Sequence, residues 1–462
     1  MSIKTINPTT EEIIAEYQNI TEADLTNKVA KSREAFSKWK LDSKNRTVFL
    51  HLLSENLRKN KESLAKVATQ EMGKPLKESL AEVEKCAWAM EFYGDNGETF
   101  LTPEIINTDA RKSFVAFQPI GVIASIMPWN FPYWQALRFA APSLMAGNTI
   151  VLKPASVTMQ CGIEIEKLFL NTGFPEGVFQ TLVSNSSMAE KLIDSDINAV
   201  TFTGSNIVGA KVAQRATSQI KKCVLELGGS DPFIVCSDAD VEKASTGAVK
   251  GRFINCGQSC IASKRFFVVK NLAKEFIEKF VQKVEKLNVG DPMSDATDIG
   301  PLVNADGLNR IEVMVQDAIS KGARILTGGK RLRDKGYFYA PTVVDNVTSD
   351  MMLAHDEVFG PVAPVTIVED EDEAIRLANS SQYGLGASIW TQNLDKAEKL
   401  SRLVDSGMVA VNNVLVSDPR IPFGGVKQSG FGRELSKYGM LEFVNVKSIR
   451  YYDQLVQYHR VE

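Results

Sequence analysis

Residues 199–229 read AVTFTGSNIVGAKVAQRATSQIKKCVLELGG. An apolar, β-branched run opens this stretch at 199–203, and a second closes it at 223–227. Between them lie Gly204, Ser205 and Gly209, then apolar positions at helical spacing over 207–216. Strand, glycine turn, helix and strand make one βαβ unit, and such units build a parallel sheet covered by helices. Glycine in the turn lets a ligand approach the backbone, and the N-terminus of the following helix favours a phosphate. The pattern is not GxGxxG, and the same turn also serves with no ligand bound.

The alternation extends in both directions. Upstream are β-like runs at 149–152 and 178–183, with helices at 160–170 and 187–195. Downstream are strands at 233–235, 265–269, 362–368, 388–390 and 408–411, and helices at 241–253, 274–286, 311–321, 371–380 and 394–403. Two α/β units in series follow, with their boundary near Gly228-Gly229. The first hundred residues read as helices at 22–40, 45–71 and 78–93, and 104–117 reads as a projecting hairpin. Residues 446–454 resemble a lone strand, which must pair with something, another subunit being one candidate.

The chain has 462 residues, which suggests about three domains, or two with an insertion. Lys and Arg number 53 against 56 Asp and Glu, a net charge of -3, which argues against binding nucleic acid or an acidic membrane. Between 113 and 152 the only charge is Arg138, but Pro119, Pro128, Pro132 and Pro142 make a membrane span improbable. Three histidines (His51, His355 and His459) lie too far apart in sequence for a His-rich metal site, so no metal is expected. Six cysteines are too few for a disulfide scaffold, and the N-terminus lacks a signal-like apolar core, so a reduced, cytoplasmic setting is expected.

Three further segments carry unusual residues. Met127-Pro128-Trp129-Asn130-Phe131-Pro132 places an amide between prolines that stiffen the loop. Its bland reading is a structural turn. Leu225-Glu226-Leu227 puts a carboxylate at a strand end, where ligands of open α/β sheets bind. It also reads as a salt-bridged glutamate. Cys256 and Cys260 lie in a turn before a strand, where a reactive thiol would be presented. Cys86, Cys161, Cys223 and Cys236 sit in regular runs and read as core.

Together these segments resemble the aldehyde dehydrogenase superfamily. The likeness runs from Asn7-Pro8 through Glu71-Met72-Gly73-Lys74-Pro75 to the segment from Pro422 to Glu434. Within the superfamily the chain is similar to the short bacterial-type succinate-semialdehyde dehydrogenases, which share the run from Lys222 to Phe233. The resemblance implies an α/β fold of two doubly wound domains and an arm. Residues 1–102 and 119–228 would form a dinucleotide-binding domain, 229–440 a catalytic domain, and 103–118 with 441–462 an oligomerisation arm that pairs subunits into a homodimer or homotetramer.

The resemblance also implies a mechanism. A Cys260 thiolate adds to the aldehyde, with Asn130 and the Cys260 N–H stabilising the oxyanion. Hydride transfer to a nicotinamide leaves a thioester, and Glu226 activates the water that hydrolyses it. The thiolate would owe a lowered pKa to local donors and to the oxidised cofactor's charge. Trp129, Lys153, Ser156, Gly204, Ser205, Gly209, Glu357 and Phe359 would contact the dinucleotide. NAD-specific relatives carry a Glu three residues after the lysine. Here Ser156 stands there, so NADP is expected as the preferred cofactor, with NAD also accepted. For succinate semialdehyde, Arg138 is the expected carboxylate ligand. Relatives often add an Arg six residues before the nucleophile. This chain has Ile254 there, and Ser417 or Arg420 would replace it. Cys256, four residues before Cys260, is a candidate redox partner or a bystander.

Other readings remain open at this stage. The chain could be a broad-range, glutarate-semialdehyde or aliphatic aldehyde dehydrogenase. A CoA-acylating enzyme typically lacks the glutamate base, and Glu226 argues against it. A cofactor-independent thiol hydrolase would leave Lys153, Gly204 and Glu357 without purpose. A non-catalytic binding protein of this fold would be expected to lose Cys260, Glu226 or Asn130.

Overall fold

The computed structural model describes residues 2–453. His459 and the distal end of the proposed terminal strand, from Gln454 onward, lie outside the described residues.

Two α/β sheets carry the molecule, as the alternation predicts. In the first, the parallel strands Val122–Ile126, Thr149–Lys153, Phe179–Thr181, Ala199–Thr203 and Lys222–Glu226 pair side by side. Val122–Ile126 is central, and its two neighbours are Thr149–Lys153 and Ala199–Thr203. The chain therefore reverses its direction of winding there, and in open α/β sheets ligands bind beyond the carboxyl ends of such strands. All five residues of Val122–Ile126 and of its two neighbours are buried, in keeping with their mostly apolar and β-branched side chains. Gly430–Phe431, from far downstream, adds an antiparallel edge beside Glu226 and Leu225.

The second sheet has seven strands. Its middle strand is Ser263–Val269, and beside it Asp231–Val235 pairs in parallel with both Ser263–Val269 and Gly386–Trp390. Arg324–Thr327 closes one edge in antiparallel pairing. Buried aromatic residues fill the layer between this sheet and its helices, with Phe233, Phe266, Phe276 and Trp390 in ring contact.

The proline-interrupted stretch resolves as strand, loop and helix. Pro132 opens the helix Pro132–Ala146 at its first turn, where its missing N–H costs nothing, and every residue of that helix is buried. The helices Val241–Phe253 and Leu394–Leu403 have the bounds the spacing predicts.

Three features differ from expectation. The region 45–71 is two helices, Ser43–Lys59 and Lys61–Met72, interrupted at Asn60. Ser2–Ile6 and Ile13–Gln18 form a hairpin ahead of the first helix, although the region reads as mostly helical. The C-terminal strand, Val444–Tyr451, is not unpaired. It runs antiparallel to Lys112–Pro119 of the same chain, which also pairs with Glu104–Ile105. Apolar and polar residues alternate too weakly in that segment to reveal a partner more than 300 positions away. No helix among the described residues is long and apolar enough to cross a membrane.

Candidate active site

The nucleophile loop is assembled at the amino end of Ser263–Val269. The helix Val241–Phe253 ends in a tight turn, Ile254–Gly257, where Asn255 and Cys256 have φ of 49° and 55°. Left-handed backbone costs a non-glycine residue about 1–2 kcal/mol. Neighbouring side chains hold it. The Asn255 N–H donates to Glu78 Oε2 at 2.8 Å, and Asn255 Nδ2 donates to the carbonyl of Asn130 at 2.8 Å. Gly257, with φ of 73°, passes so close to Gly360 that a Cβ there would lie 2.3 Å from its carbonyl oxygen. Only glycine fits.

Two buried cations clamp this loop, and both were missed from sequence. Arg252 donates to the carbonyls of Ser263, Gly257, Val358 and Gly360 at 2.5–3.0 Å. Lys264 donates to the carbonyls of Ser259 and Cys260 at 2.9 and 2.6 Å. A cation within a dozen residues of the cysteine was the available signal.

Cys260 lines a cavity of ≈ 260 Å³ together with Phe131, Trp134, Arg138, Ile254 and Phe423. Burial pushes its thiol up to about 11, although Arg138 and Lys264 pull the other way. The expectation that local donors lower this pKa is therefore not met by the protein's own groups: desolvation of the thiolate outweighs them. Asn130 is buried beside the loop. Its Nδ2 donates to the carbonyl of Gln258 at 3.0 Å, which leaves a second amide proton free.

Glu226 is not among the residues lining this cavity. Its carboxyl is buried without a hydrogen-bond partner and lies against Gly424. Burial raises its pKa well above the usual range, and Glu434 raises it further. Glu434 forms the buried ion pair with Arg138, so two carboxylates face one guanidinium. Burial works against ionisation of both carboxylates, and Arg138 works for it.

Arg138 thus lines the cavity with its charge already countered, and its guanidinium packs over Phe423 at 4.4 Å. Ser417 also lines the cavity, but Arg420 does not. Arg420 is exposed and bonded to Asp418 through Nε and Nη2 at 2.6–3.2 Å. Lys85, unremarked in the sequence, projects into the cavity from the helix Leu76–Phe100.

Cys256 is fully buried, and burial drives its thiol far above its ordinary value. Sequence position placed it in a turn; the turn faces inward, so no reactive thiol is presented there. All six cysteines are free.

A second cleft, of ≈ 830 Å³, lies at the carboxyl ends of the first sheet's strands. Met127, Pro128, Lys153, Thr203, Gly204 and Ser205 are among its walls. Ser205 caps the helix Asn206–Thr217, accepting from the Val208 N–H at 3.4 Å. Lys153 is buried and forms no ion pair among the described residues; desolvation lowers its pKa to about 8. A buried, uncompensated cation beside a helix N-terminus suits a phosphate-bearing ligand. Ser156 begins the short turn Ser156–Thr158, half-buried, three residues on. Gly209 is not at the cleft. It lets the helix approach Leu227, whose Cδ2 would lie 2.4 Å from an added Cβ. Glu357 accepts from the Gly229 N–H at 3.1 Å and lies 3.5 Å from Lys264 Nζ, and Phe359 meets Trp129 edge-on at 5.7 Å. No group of three or more His, Cys, Asp or Glu that could hold a metal occurs among the described residues.

Cys260 thus stands in one cavity, ahead of a strand of the second sheet, while a separate cleft lies at the carboxyl ends of the first sheet's strands. Residues 1–449 match the aldehyde dehydrogenase family, and the chain belongs to it. It is 46% identical to a probable NADP-dependent succinate-semialdehyde dehydrogenase of Synechocystis sp., over 97% of this chain and 99% of that one. It is 42% identical to succinate-semialdehyde dehydrogenase [NADP(+)] 1 of Mycobacterium tuberculosis, over 97% and 99%. The solved succinic semialdehyde dehydrogenase of Streptococcus pyogenes, in complex with NADP+, superposes with a TM-score of 0.95 at 34% identity, covering 98% of this chain and 100% of that one.

Proposed function

We propose that the chain oxidises succinate semialdehyde to succinate with NADP as the preferred cofactor, NAD serving less well. The observation that carries this reading is Cys260 in a small cavity with cationic side chains in its wall, together with a second cleft whose buried cation, Lys153, has no ion pair among the described residues. The relatives named for this reaction at 42% and 46% identity support it.

Cys260 releases its proton to water, and its sulfur bonds to the aldehyde carbon, turning the carbonyl oxygen into an oxyanion. The free proton of the Asn130 amide and the Cys260 N–H stabilise that charge, a contribution of about 3–4 kcal/mol per donor. A bound oxidised nicotinamide would supply the hydride acceptor and a positive charge. The oxyanion's electrons re-form the carbonyl as the hydride leaves, and Cys260 is left as a thioester. Glu226, swung from its place against Gly424, takes a proton from water. The hydroxide adds, the C–S bond breaks, and the thiolate returns. Lys153, Ser156, Gly204 and Ser205 hold the dinucleotide's adenosine and phosphates; Trp129, Glu357 and Phe359 hold its nicotinamide end.

Residues 1–102 with 119–228 form the dinucleotide-binding domain and 229–440 the catalytic domain, with Gly430–Phe431 crossing back to the first sheet. Of the proposed arm, 103–118 and 441–462, the described residues reach Asp453. Among the described residues Val444–Tyr451 is an edge strand, which supports its use in a homodimer or homotetramer. Six free cysteines fit a cytoplasmic setting.

The test is absorbance at 340 nm with NADP and NAD over a panel of aldehydes, with and without CoA. Succinate semialdehyde with NADP should give the highest kcat/KM. NAD favoured more than tenfold would refute the cofactor assignment, and an uncharged aldehyde favoured over succinate semialdehyde would refute the substrate.

A further inference from the structure

Two lysines in the wall of the cavity at Cys260, Lys85 and Lys250, form no ion pair among the described residues; Lys250 is exposed, and Lys85 is the one held within the wall. The helix Leu76–Phe100 turns Glu78, Ala81, Glu82 and Lys85 toward it, a single face at three- and four-residue spacing. Each acid on that face is engaged. Glu82 pairs with Lys74 and accepts from the N–H groups of Tyr133 and Trp134 at 2.9 and 2.8 Å. Glu78 accepts from the Asn255 N–H. Arg138, across the cavity, is paired with Glu434.

Lys85 has no such partner. Its Nζ donates to Ser417 Oγ at 2.7 Å and lies 4.6 Å from the Trp134 ring. It forms no ion pair among the described residues, and a carboxylate is the partner an enclosed ammonium lacks. Burial, with Arg138 nearby, lowers its pKa to about 8, as an unanswered charge requires. Ser417 needs nothing from Lys85 in particular, since its hydroxyl can turn to donate to an incoming oxygen while Lys85 donates too. Phe131, Trp134, Ile254 and Phe423 supply apolar walls around them.

We infer that Lys85, with Ser417, holds the carboxylate of the substrate, and that Arg138 serves chiefly as the counter-ion of Glu434. This deepens the succinate-semialdehyde reading and rests on it. It also accounts for Ile254: with a lysine opposite, no cation is required at that position.

The experiment compares the parent, Lys85→Met and Lys85→Arg, using succinate semialdehyde and butanal as alternative substrates and succinate as a competitive inhibitor. The parent's preference for succinate semialdehyde tests the parent reading by itself; its absence overturns that reading and this inference together. Where the preference is present, Lys85→Met should lower kcat/KM for succinate semialdehyde about 30-fold or more, mainly through KM, the scale of a lost charged hydrogen bond. Butanal should stay within about threefold, which also shows that the variant folds. The inhibition constant of succinate should rise in parallel, and Lys85→Arg should recover most of both losses. Equal losses for the two aldehydes, or an unchanged inhibition constant for succinate, would overturn the assignment of Lys85.

Discussion

Ser156→Glu tests the cofactor side of the site most directly. Ser156 is half-buried at the start of a short turn, three residues after Lys153 at the cleft. Two effects act in the same direction on NADP. A carboxylate beside the 2′-phosphate repels it by about 1 kcal/mol in water and about 4 kcal/mol at an effective dielectric of ~20, for unit charges ~4 Å apart. A half-buried position lies between these limits, so about 2 kcal/mol is the expected repulsion. Lys153 has no ion partner, so the new carboxylate would also take the cation that answers the phosphate. NAD suffers neither effect, and its ribose hydroxyls gain an acceptor. The NADP-to-NAD ratio of kcat/KM should therefore fall at least about 30-fold, at ~1.4 kcal/mol per decade. Initial rates at 340 nm with both cofactors, at saturating aldehyde, measure it. A ratio within threefold of the parent's would show that the 2′-phosphate does not sit near Ser156 and Lys153.

Further outcomes follow from the geometry. Cys260→Ala should abolish turnover yet still bind NADP, as measured by nucleotide fluorescence; undiminished turnover would remove the cysteine from the mechanism. Glu226→Gln should give a burst of one NADPH per site and then turnover slower by about 10²-fold or more, the usual scale for a lost general base. In the parent, the raised pKa of Glu226 keeps its base form scarce at low pH, so kcat should climb as pH rises through that pKa, and a flat kcat in stopped-flow and steady-state profiles would contradict this. Gly228→Ala would place a Cβ 2.4 Å from Glu357 Oε2 and push that carboxylate off the Gly229 N–H, raising KM for the cofactor about tenfold, the equivalent of one hydrogen bond. Cys256→Ser should be inactivated by mild peroxide as fast as the parent, because Cys256 is buried and its thiol is held protonated; protection by the substitution would mean that the loop opens.

Much of the fold was legible because its signals are local. The strand Ala199–Thr203 and the helix Val241–Phe253 announce themselves through β-branched runs and helical spacing, and short-range physics sets their bounds. The pairing of Val444–Tyr451 with Lys112–Pro119 depends on where two distant segments are carried by everything between them, and no local pattern encodes that. The site divides in the same way. Cys260 and Glu226 sit in motifs whose composition is unusual in itself. Lys85 sits in an ordinary amphipathic helix, and only the docking of that helix against Pro132–Ala146 turns it toward a cavity. Arg138 was conspicuous as a lone charge in an apolar stretch, which correctly signalled a partner, but sequence could not say whether the partner was Glu434 or a ligand. Cys256 misled for a related reason: turns are usually exposed, and this one is pinned inward by Arg252 and Glu78.

The same division separates chemistry from specificity within the protein. The nucleophile loop is fixed by Arg252 and Lys264 on carbonyls, Asn255 on Asn130, and Glu78 on the strained turn. Each would leave a buried charge or an unpaired polar group if altered, so none can change cheaply. The proposed carboxylate contacts come from elsewhere, from one face of Leu76–Phe100 and from the loop at Val414 to Ser417. Replacing Lys85 by an apolar residue would remove a charge that the protein itself does not need, and would leave the clamp on Cys260 intact. Helix and loop can therefore retune which aldehyde enters while the sulfur keeps its place. A lysine in one wall and an isoleucine at position 254 are one solution to holding an acid; with Lys85 apolar as well, the same cavity would favour an uncharged aldehyde.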